Sequence, residues 1–224
     1  IKKNFNINAH GSCLITIGNT KVICTATFDT EVPPWLKNKE SGWLTAEYGM
    51  LPTSTNSRNR REAKQGKQSG RTIEIQRLIG RSLRTILDLQ VFPSKQFIID
   101  CDVIEADGGT RTASITGAYV ALALAVKKLL KKGMLTHNPI KDSISAISCG
   151  IVNGKILVDL DYNEDSRADV DANFVFTERS GVSEIQISGE KSTFSLKTMN
   201  QMLKLGLEST EKISGLQKKI IGKI

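Results

Sequence analysis

The sequence predicts a mixed α/β fold of the α+β type, in which sheets are flanked by helices. Three long segments have helical spacing of apolar residues or high helix propensity: 71–87, 110–132 and 192–211. Between them lie short runs rich in Val, Ile, Thr and Phe, which favour strands. Turn residues such as Gly18-Asn19 and Asn153-Gly154 separate neighbouring runs and predict hairpins. Blocks of strands therefore alternate with long helices.

The elements follow in order along the chain. The predicted strands are 12–17, 20–28, 43–51, 96–104, 143–153, 155–160, 172–177 and 182–188. A further hairpin turn is expected at 179–181. The last helix is expected to begin at a cap, Ser192 or Ser195, and to continue into the Lys-rich tail. Its apolar stripe is expected to pack in the core and comprises Leu196, Met199, Met202, Leu203 and Leu207.

Composition limits the class of protein. With 224 residues, the chain is expected to form a single domain covering 1–224. The net charge of +8 favours a polyanionic partner. No run of about 18 apolar residues is present, so we expect no membrane span. The four widely spaced cysteines form no C-x-x-C pair, which predicts buried free thiols in a reducing compartment, the cytoplasm.

The segment 107–126 follows a predicted strand and consists of a glycine pair and the start of a helix. The order strand, glycine turn, helix directs free backbone N–H groups towards one point, a favourable position for an anion. Gly109 permits close backbone approach, Thr110 and Thr112 add hydroxyls, and Arg111 adds a guanidinium suited to phosphate. A buried core helix with a surface arginine is the alternative interpretation.

The helix at 71–87 offers a second candidate anion site. Ser69-Gly70 precede its first turn, so that Arg71 lies at the helix N-terminus, where the helix dipole disfavours a cation by a few tenths of a kcal/mol. A bound anion would offset that cost. An ordinary surface arginine is the alternative.

Two charged segments complete the candidate site. The polar stretch 53–70 is expected to be a mobile basic loop, and Arg58, Arg60 and Arg61 within it suit the phosphate backbone of a nucleic acid. Six carboxylates lie close together from the end of the 155–160 strand onwards: Asp159, Asp161, Glu164, Asp165, Asp169 and Asp171. Converging carboxylates can hold Mg²⁺ or Mn²⁺, or raise one another's pKa so that one acts as general acid. Solvated loops are the alternative in both cases.

Four motifs, in the same order, resemble the ribonuclease PH family. They are Gly-Trp-Leu-Thr-Ala-Glu-Tyr-Gly-Met-Leu-Pro at 42–52, Ser-Gly-Arg-Thr-Ile-Glu-Ile-Gln-Arg-Leu-Ile-Gly-Arg at 69–81, Ile-Asp-Cys-Asp-Val-Ile-Glu-Ala-Asp-Gly-Gly-Thr-Arg-Thr-Ala at 99–113, and Glu-Asp-Ser-Arg-Ala-Asp-Val-Asp at 164–171. The family comprises phosphate-dependent 3′→5′ exoribonucleases that trim transfer RNA precursors, and it is related to polynucleotide phosphorylase and exosome ring subunits. The resemblance implies two β-α halves and a homohexamer built as a trimer of dimers.

The resemblance also implies residue roles. Phosphate would be bound by Arg71, Gly109, Thr110 and Arg111, with Arg111 also catalytic. Asp165 and Asp171 would be catalytic and would bind Mg²⁺ or Mn²⁺. RNA would contact Arg58, Arg60, Arg61 and Arg77. Inorganic phosphate would be the co-substrate.

The sequence departs from the family pattern at two places. Thr53 stands where the family has an arginine after Leu-Pro, and the family's opening Arg-x-Asp-Gly-Arg segment is not found; we expect that segment to lie outside the given chain. Two other functions compete with phosphorolysis. A non-catalytic RNA-binding ring subunit would be expected to lack the site residues, and a two-metal hydrolase would leave both helix-start arginines unexplained.

Overall fold

A computed structural model describes residues 1–37, 39–179 and 181–224. The first sheet contains β1 (Lys2–Lys3), β2 (Gly11–Ile17), β3 (Thr20–Asp29), β4 (Trp43–Met50) and β5 (Gln96–Glu105). Their order across the sheet is β1-β2-β3-β5-β4. Only the β4–β5 pair of this sheet is parallel among the described strands. The first sheet is therefore mixed.

The second sheet is antiparallel throughout its described strands. It contains β6 (Ile144–Val152), β7 (Lys155–Val158), β8 (Val170–Thr177) and β9 (Val182–Gly189), in the order β7-β6-β8-β9. The predicted Asn-Gly turn joins β6 to β7, with φ of 51° at Asn153 and 73° at Gly154. These positive φ values are those of a tight hairpin turn. The turn predicted at 179–181 includes Ser180, which lies outside the described residues.

The helices are α1 (Glu62–Gln65), α2 (Gly70–Thr85), α3 (Thr110–Lys131), α4 (Tyr162–Asp165) and α5 (Leu196–Ile221), with short 3₁₀ turns at Pro34–Leu36 and Leu89–Val91. The three long helices match the predicted segments within a few residues. The tail does extend α5, as expected. The sequence did not predict the single-turn helices α1 and α4.

Helix α3 occupies the centre of the molecule and contacts strands of both sheets. Close approach to the first sheet requires Gly117, because a Cβ there would lie 2.6 Å from Sγ of Cys24. The packing of α3 against both sheets therefore fixes the position of this helix.

All four cysteines are free and buried, in agreement with the sequence-based expectation.

By length and composition alone, α3 is the one helix in the described part of the chain that could cross a membrane, with a mean hydropathy of 1.5 over its most apolar stretch. In the fold, 78% of that stretch is buried inside the protein. Such burial is the ordinary environment of a core helix.

The prediction for the last helix needs two corrections. It begins at Leu196, and of the two candidate caps it is Ser195 whose side chain accepts a hydrogen bond from the Thr198 amide. Leu196 is 76% exposed and does not belong to the apolar stripe, which is centred on buried Met202. Spacing alone does not reveal at which turn of a helix its packing partner ends.

Candidate active site

The glycine turn before α3 is held tightly by its neighbours. The Thr20 hydroxyl donates to the Gly108 carbonyl at 2.6 Å and accepts from the Asp107 amide at 2.8 Å. Gly108 has φ of 78°, and a Cβ there would lie 2.1 Å from the Leu160 carbonyl oxygen. Only glycine satisfies both the backbone conformation and the contact with the chain that leads into α4.

The first turn of α3 has no side-chain cap, because its N-cap residue is Gly109. The Thr110 hydroxyl accepts a hydrogen bond from the Tyr48 hydroxyl at 2.9 Å and keeps its own hydrogen to donate. The Thr112 hydroxyl donates to the Gly109 carbonyl at 2.8 Å, so its hydrogen is already used. The uncapped amides and the Thr110 hydroxyl therefore provide donors for an anion, whereas the Thr112 hydroxyl does not.

Arg111 is held between helix α2 and strand β9. Its Nη1 donates to the side-chain oxygen of Gln186 on β9 at 3.0 Å and to Glu74 on α2 at 3.2 Å. The Arg111 side chain is only 15% exposed. Because both acceptors contact the same nitrogen, the rest of the guanidinium remains available to a ligand.

The start of α2 is arranged differently. Ser69 caps it, accepting from the Thr72 amide at 3.1 Å. The Glu62 carboxylate accepts from the Ser69 amide at 3.1 Å and from the Thr72 hydroxyl at 2.7 Å. Burial alone would raise the pKa of Glu62, but these hydrogen bonds outweigh it and lower that pKa. Arg71, in the first turn, is exposed.

The predicted carboxylate cluster separates into structural and site residues. Asp161 and Glu164 form a capping box at the start of α4 and are engaged there. Asp165 ends α4 and is exposed, whereas Asp171 is half-buried on β8. Burial, and then the charge of Asp165, raise the pKa of Asp171; the positive charges of Arg111 and Arg71 act against this rise. The two carboxylates and both arginines thus act on one another electrostatically.

Asp165 and Asp171 provide two carboxylates for a divalent cation, fewer protein ligands than a complete metal site has. Within the described ranges, no group of three His, Cys, Asp or Glu side chains is positioned to hold a metal. Burial is the larger cause of the raised pKa of Asp171, and the charge of Asp165 adds to it; a bound cation would oppose the contribution of that charge. Mg²⁺ commonly binds through one or two carboxylates together with substrate phosphates, so two carboxylates suffice only when substrate is present.

The basic loop begins beside the glycine turn, because the Ala106 amide donates to the Ser54 carbonyl at 2.8 Å. A hollow of about 620 Å³ lies there, and its polar lining includes Thr53, Asp107 and Tyr162. The four arginines proposed for RNA, Arg58, Arg60, Arg61 and Arg77, are all exposed. The first three lie in the loop and Arg77 lies on α2, and none of the four is among the residues that line the hollow.

Sequence reasoning missed the residues that hold the site together. Tyr48, Glu74 and Gln186 were given no role, although they position Thr110 and Arg111. Tyr48 and Glu74 lie within the motifs at 42–52 and 69–81, so the only available signal was their position there. Gln186 lies in an ordinary strand pattern and gave no signal.

Comparison with known proteins gives a consistent assignment. Two models of the 3′ exoribonuclease family match, domain 1 at residues 1–128 and domain 2 at residues 142–209. Ribonuclease PH from Neisseria meningitidis serogroup C is 58% identical over 92% of this chain and 85% of that relative. The serogroup B protein of the same name is 57% identical over the same shares.

Solved structures show the same fold at low identity. Rice Rrp46 matches with a TM-score of 0.78 and 20% identity, covering 98% of this chain and 92% of that one. The Archaeoglobus fulgidus exosome with RNA bound to the active site matches with a TM-score of 0.77 and 20% identity, covering 96% and 85%. The chain belongs to the 3′ exoribonuclease family. The predicted family, fold class and enzyme class, a phosphate-dependent exoribonuclease, are confirmed.

Proposed function

We propose that the chain removes nucleotides from the 3′ end of transfer RNA precursors by phosphorolysis, releasing nucleoside 5′-diphosphates. The observation that carries this proposal is the uncapped start of α3, with Arg111 fixed beside it and electrostatically coupled to Asp171. An anion site next to paired carboxylates suits a reaction in which one substrate is inorganic phosphate.

Inorganic phosphate binds at the start of α3, to the first-turn amides, the Thr110 hydroxyl and the guanidiniums of Arg111 and Arg71. Gly109 allows its close approach. A phosphate oxygen attacks the phosphorus of the terminal phosphodiester, and the bond from that phosphorus to the 3′ oxygen of the preceding nucleotide breaks. Arg111 neutralises charge on the phosphoryl oxygens as the bond forms. With nucleoside diphosphate in excess, the same steps run backwards and extend the RNA.

The leaving 3′ oxygen gains negative charge beside the carboxylates. Asp165 and Asp171 would hold Mg²⁺ or Mn²⁺, which supplies positive charge to the leaving oxygen and to the phosphates. The charges of Arg111 and Arg71 act on Asp171, which supports placing this carboxylate near the bound phosphate. In this proposal Asp165 and Asp171 are therefore catalytic residues as well as metal ligands.

RNA reaches this site along the basic loop. Arg58, Arg60 and Arg61 are exposed, and the loop is anchored beside the glycine turn through Ser54, so RNA phosphates bound there would lie near the reacting bond. Arg77 would bind RNA farther along α2. Substituting Arg58 and Arg61 together by Ala should lower the slope of log K for RNA binding against log salt by the amount expected for losing one to two phosphate contacts. An unchanged salt slope would place RNA binding elsewhere.

The two halves of the chain are proposed to act as one catalytic domain. Support comes from Arg111, which donates hydrogen bonds both to α2 of the first half and to β9 of the second. We also propose a homohexamer, a trimer of dimers, as the family resemblance implies. The exposed Val182 and Ile185 on β9, at the edge of its sheet, support association between copies of the chain. The free buried cysteines support a reducing compartment, the cytoplasm.

A non-catalytic RNA-binding ring subunit is the second candidate, favoured by the structural likeness to exosome chains. The first experiment distinguishes the two: single-stranded RNA and Mg²⁺ are incubated with the protein, with and without inorganic phosphate. Nucleoside diphosphates that appear only with phosphate establish phosphorolysis. Monophosphates without phosphate would indicate a hydrolase, and the absence of any product would favour the inert subunit.

A further inference from the structure

The end of α3 opposite the glycine turn adjoins a basic hollow of about 490 Å³. Lys3, Lys127, Lys128 and Lys131 line it, together with His10, and no Asp or Glu is among its lining residues in the described parts of the chain. The helix has 22 residues and is therefore about 33 Å long. The hollow thus lies roughly 30 Å from the proposed phosphate site and has no part in the mechanism above.

The lysines are held in place without being neutralised. The Lys127 ammonium donates to the Ile221 carbonyl at 3.0 Å, and the Lys128 ammonium donates to the Ala9 carbonyl at 3.1 Å. Neither these two nor Lys3 and Lys131 form an ion pair with any described carboxylate. An ammonium group has three donors, so donors remain free towards the hollow.

Neutralisation of the helix dipole explains only part of this arrangement. Cations at the end of a helix are favourable when they act on its last carbonyls. Here Lys127 and Lys128 donate instead to carbonyls of other segments, and Lys3 comes from β1. Positive charges therefore converge from two separate parts of the chain.

His10 lies among the lysines that line the hollow. Its Nδ1 accepts a hydrogen bond from the Phe28 amide at 3.0 Å, which requires this nitrogen to be unprotonated. Burial, and then the charges of Lys128 and Lys132, lower its pKa. The hollow is thus positive without any contribution from the histidine.

We propose that Lys3, Lys127, Lys128 and Lys131 bind the phosphate backbone of the substrate RNA upstream of its 3′ end. The proposal rests on the function proposed above. At about 3.4 Å per stacked nucleotide, roughly ten nucleotides span the distance between the two sites. A longer RNA would therefore contact both sites, whereas an RNA of about four nucleotides would occupy the active site alone.

The test combines Lys3→Gln, Lys128→Gln and Lys131→Gln, and leaves Lys127 to anchor the end of α5. A control carries Lys155→Gln, Lys197→Gln and Lys204→Gln, three exposed lysines far from the hollow in sequence. Binding of a stem-containing RNA of about thirty nucleotides with a 3′ tail is measured against salt, without phosphate. The hollow variant should bind at least about tenfold more weakly, with a salt slope lower by about 2 to 3. Binding of the four-nucleotide RNA should not change.

Several results would overturn the proposal. Equal losses in the control variant would mean diffuse attraction by net charge, and equal losses with the four-nucleotide RNA would mean damage to the active site. A change in sedimentation of the hollow variant would assign the lysines to contacts between copies of the chain. Replacing the same three lysines by Arg should restore binding, which excludes misfolding as the cause. If the wild type releases no nucleoside diphosphate from any RNA, the proposed function fails, but the binding measurement still decides the role of the hollow.

Discussion

The starts of α2 and α3 look alike in sequence but are built differently. Each places an arginine in the second position of the helix, Arg71 after Gly70 and Arg111 after Thr110. At α2 the chain satisfies its own amides with Ser69 and adds the carboxylate of Glu62. At α3 the N-cap is Gly109 and offers no side chain. The start of α3 can therefore offer an anion both free amides and a guanidinium, whereas the start of α2, whose Thr72 amide is already capped, offers chiefly the guanidinium of Arg71.

The two arginines also differ in exposure and in their hydrogen-bond partners. Arg71 is exposed, whereas Arg111 is largely buried and held by Glu74 and Gln186. A fixed guanidinium loses less conformational entropy when it binds a phosphate, and it can be aligned in advance with the charge that develops in the reaction. We therefore expect Arg111 to matter for turnover and Arg71 mainly for phosphate affinity.

Substitution of Arg111 tests this difference most strongly. Arg111→Ala should lower phosphorolysis by about 10²-fold or more even at saturating phosphate, the effect of removing a preorganised donor. Arg71→Ala should chiefly raise the KM for phosphate. Steady-state kinetics with varied phosphate separate the two effects. Near-normal turnover of Arg111→Ala at saturating phosphate, or equal effects of both variants on kcat, would contradict the distinction.

Asp171 connects both arginines to the reaction and gives the next largest effect. Asp171→Asn should reduce phosphorolysis by on the order of tenfold or more, because a charge near the leaving oxygen is lost. Its raised pKa means that burying the ionised carboxylate costs stability at neutral pH. The Asn variant should therefore melt at a higher temperature than the wild type at pH 7 in chelator.

That gain in stability has a defined pH dependence. It should vanish below about pH 4, the range of an unperturbed Asp, because the carboxyl is then protonated in both folded and unfolded states. Thermal melts from pH 3 to pH 8 provide the measurement, with Asp169→Asn as a nearby control. A lower melting temperature of the Asp171 variant at pH 7 would refute this account.

Ser69 tests the self-capped start of α2. Ser69→Ala removes the acceptor for the Thr72 amide and should cost about 1 kcal/mol of folding stability. Ser69→Asp keeps an acceptor at the same position and should restore most of the loss. Urea unfolding of both variants is the measurement. Equal stability of Ser69→Ala and the wild type would mean that water replaces the cap at no cost.

Glu62 should give the smallest effect. Glu62→Gln removes a negative charge from the α2 start and should tighten phosphate binding by less than about threefold, because the group is mostly solvated. Titration calorimetry with inorganic phosphate measures this change. Glu40→Gln, which removes an exposed charge elsewhere, is the matched control. Weaker phosphate binding in the Glu62 variant alone would show that Glu62 orders Arg71 rather than competing with phosphate.

The sequence by itself determined the local architecture. Helical spacing located α2, α3 and α5, and turn chemistry located the hairpin at Asn153-Gly154, because these signals depend on residues only a few positions apart. Its motifs also identified the candidate site residues through family resemblance. The exposed Leu196 shows the limit of spacing, since a periodic pattern continues past the point where the packing partner ends.

Only the tertiary structure decided how the site is held. Arg111 reaches Gln186, 75 positions away, and Tyr48 reaches Thr110, 62 positions away. The tertiary structure also shows that Asp161 and Glu164 cap α4, whereas Asp171 is influenced by the charges of both arginines. Such contacts depend on how α3 packs between the two sheets. A side chain's partner across that packing is fixed by the relative placement of whole elements, which neither local propensity nor spacing encodes.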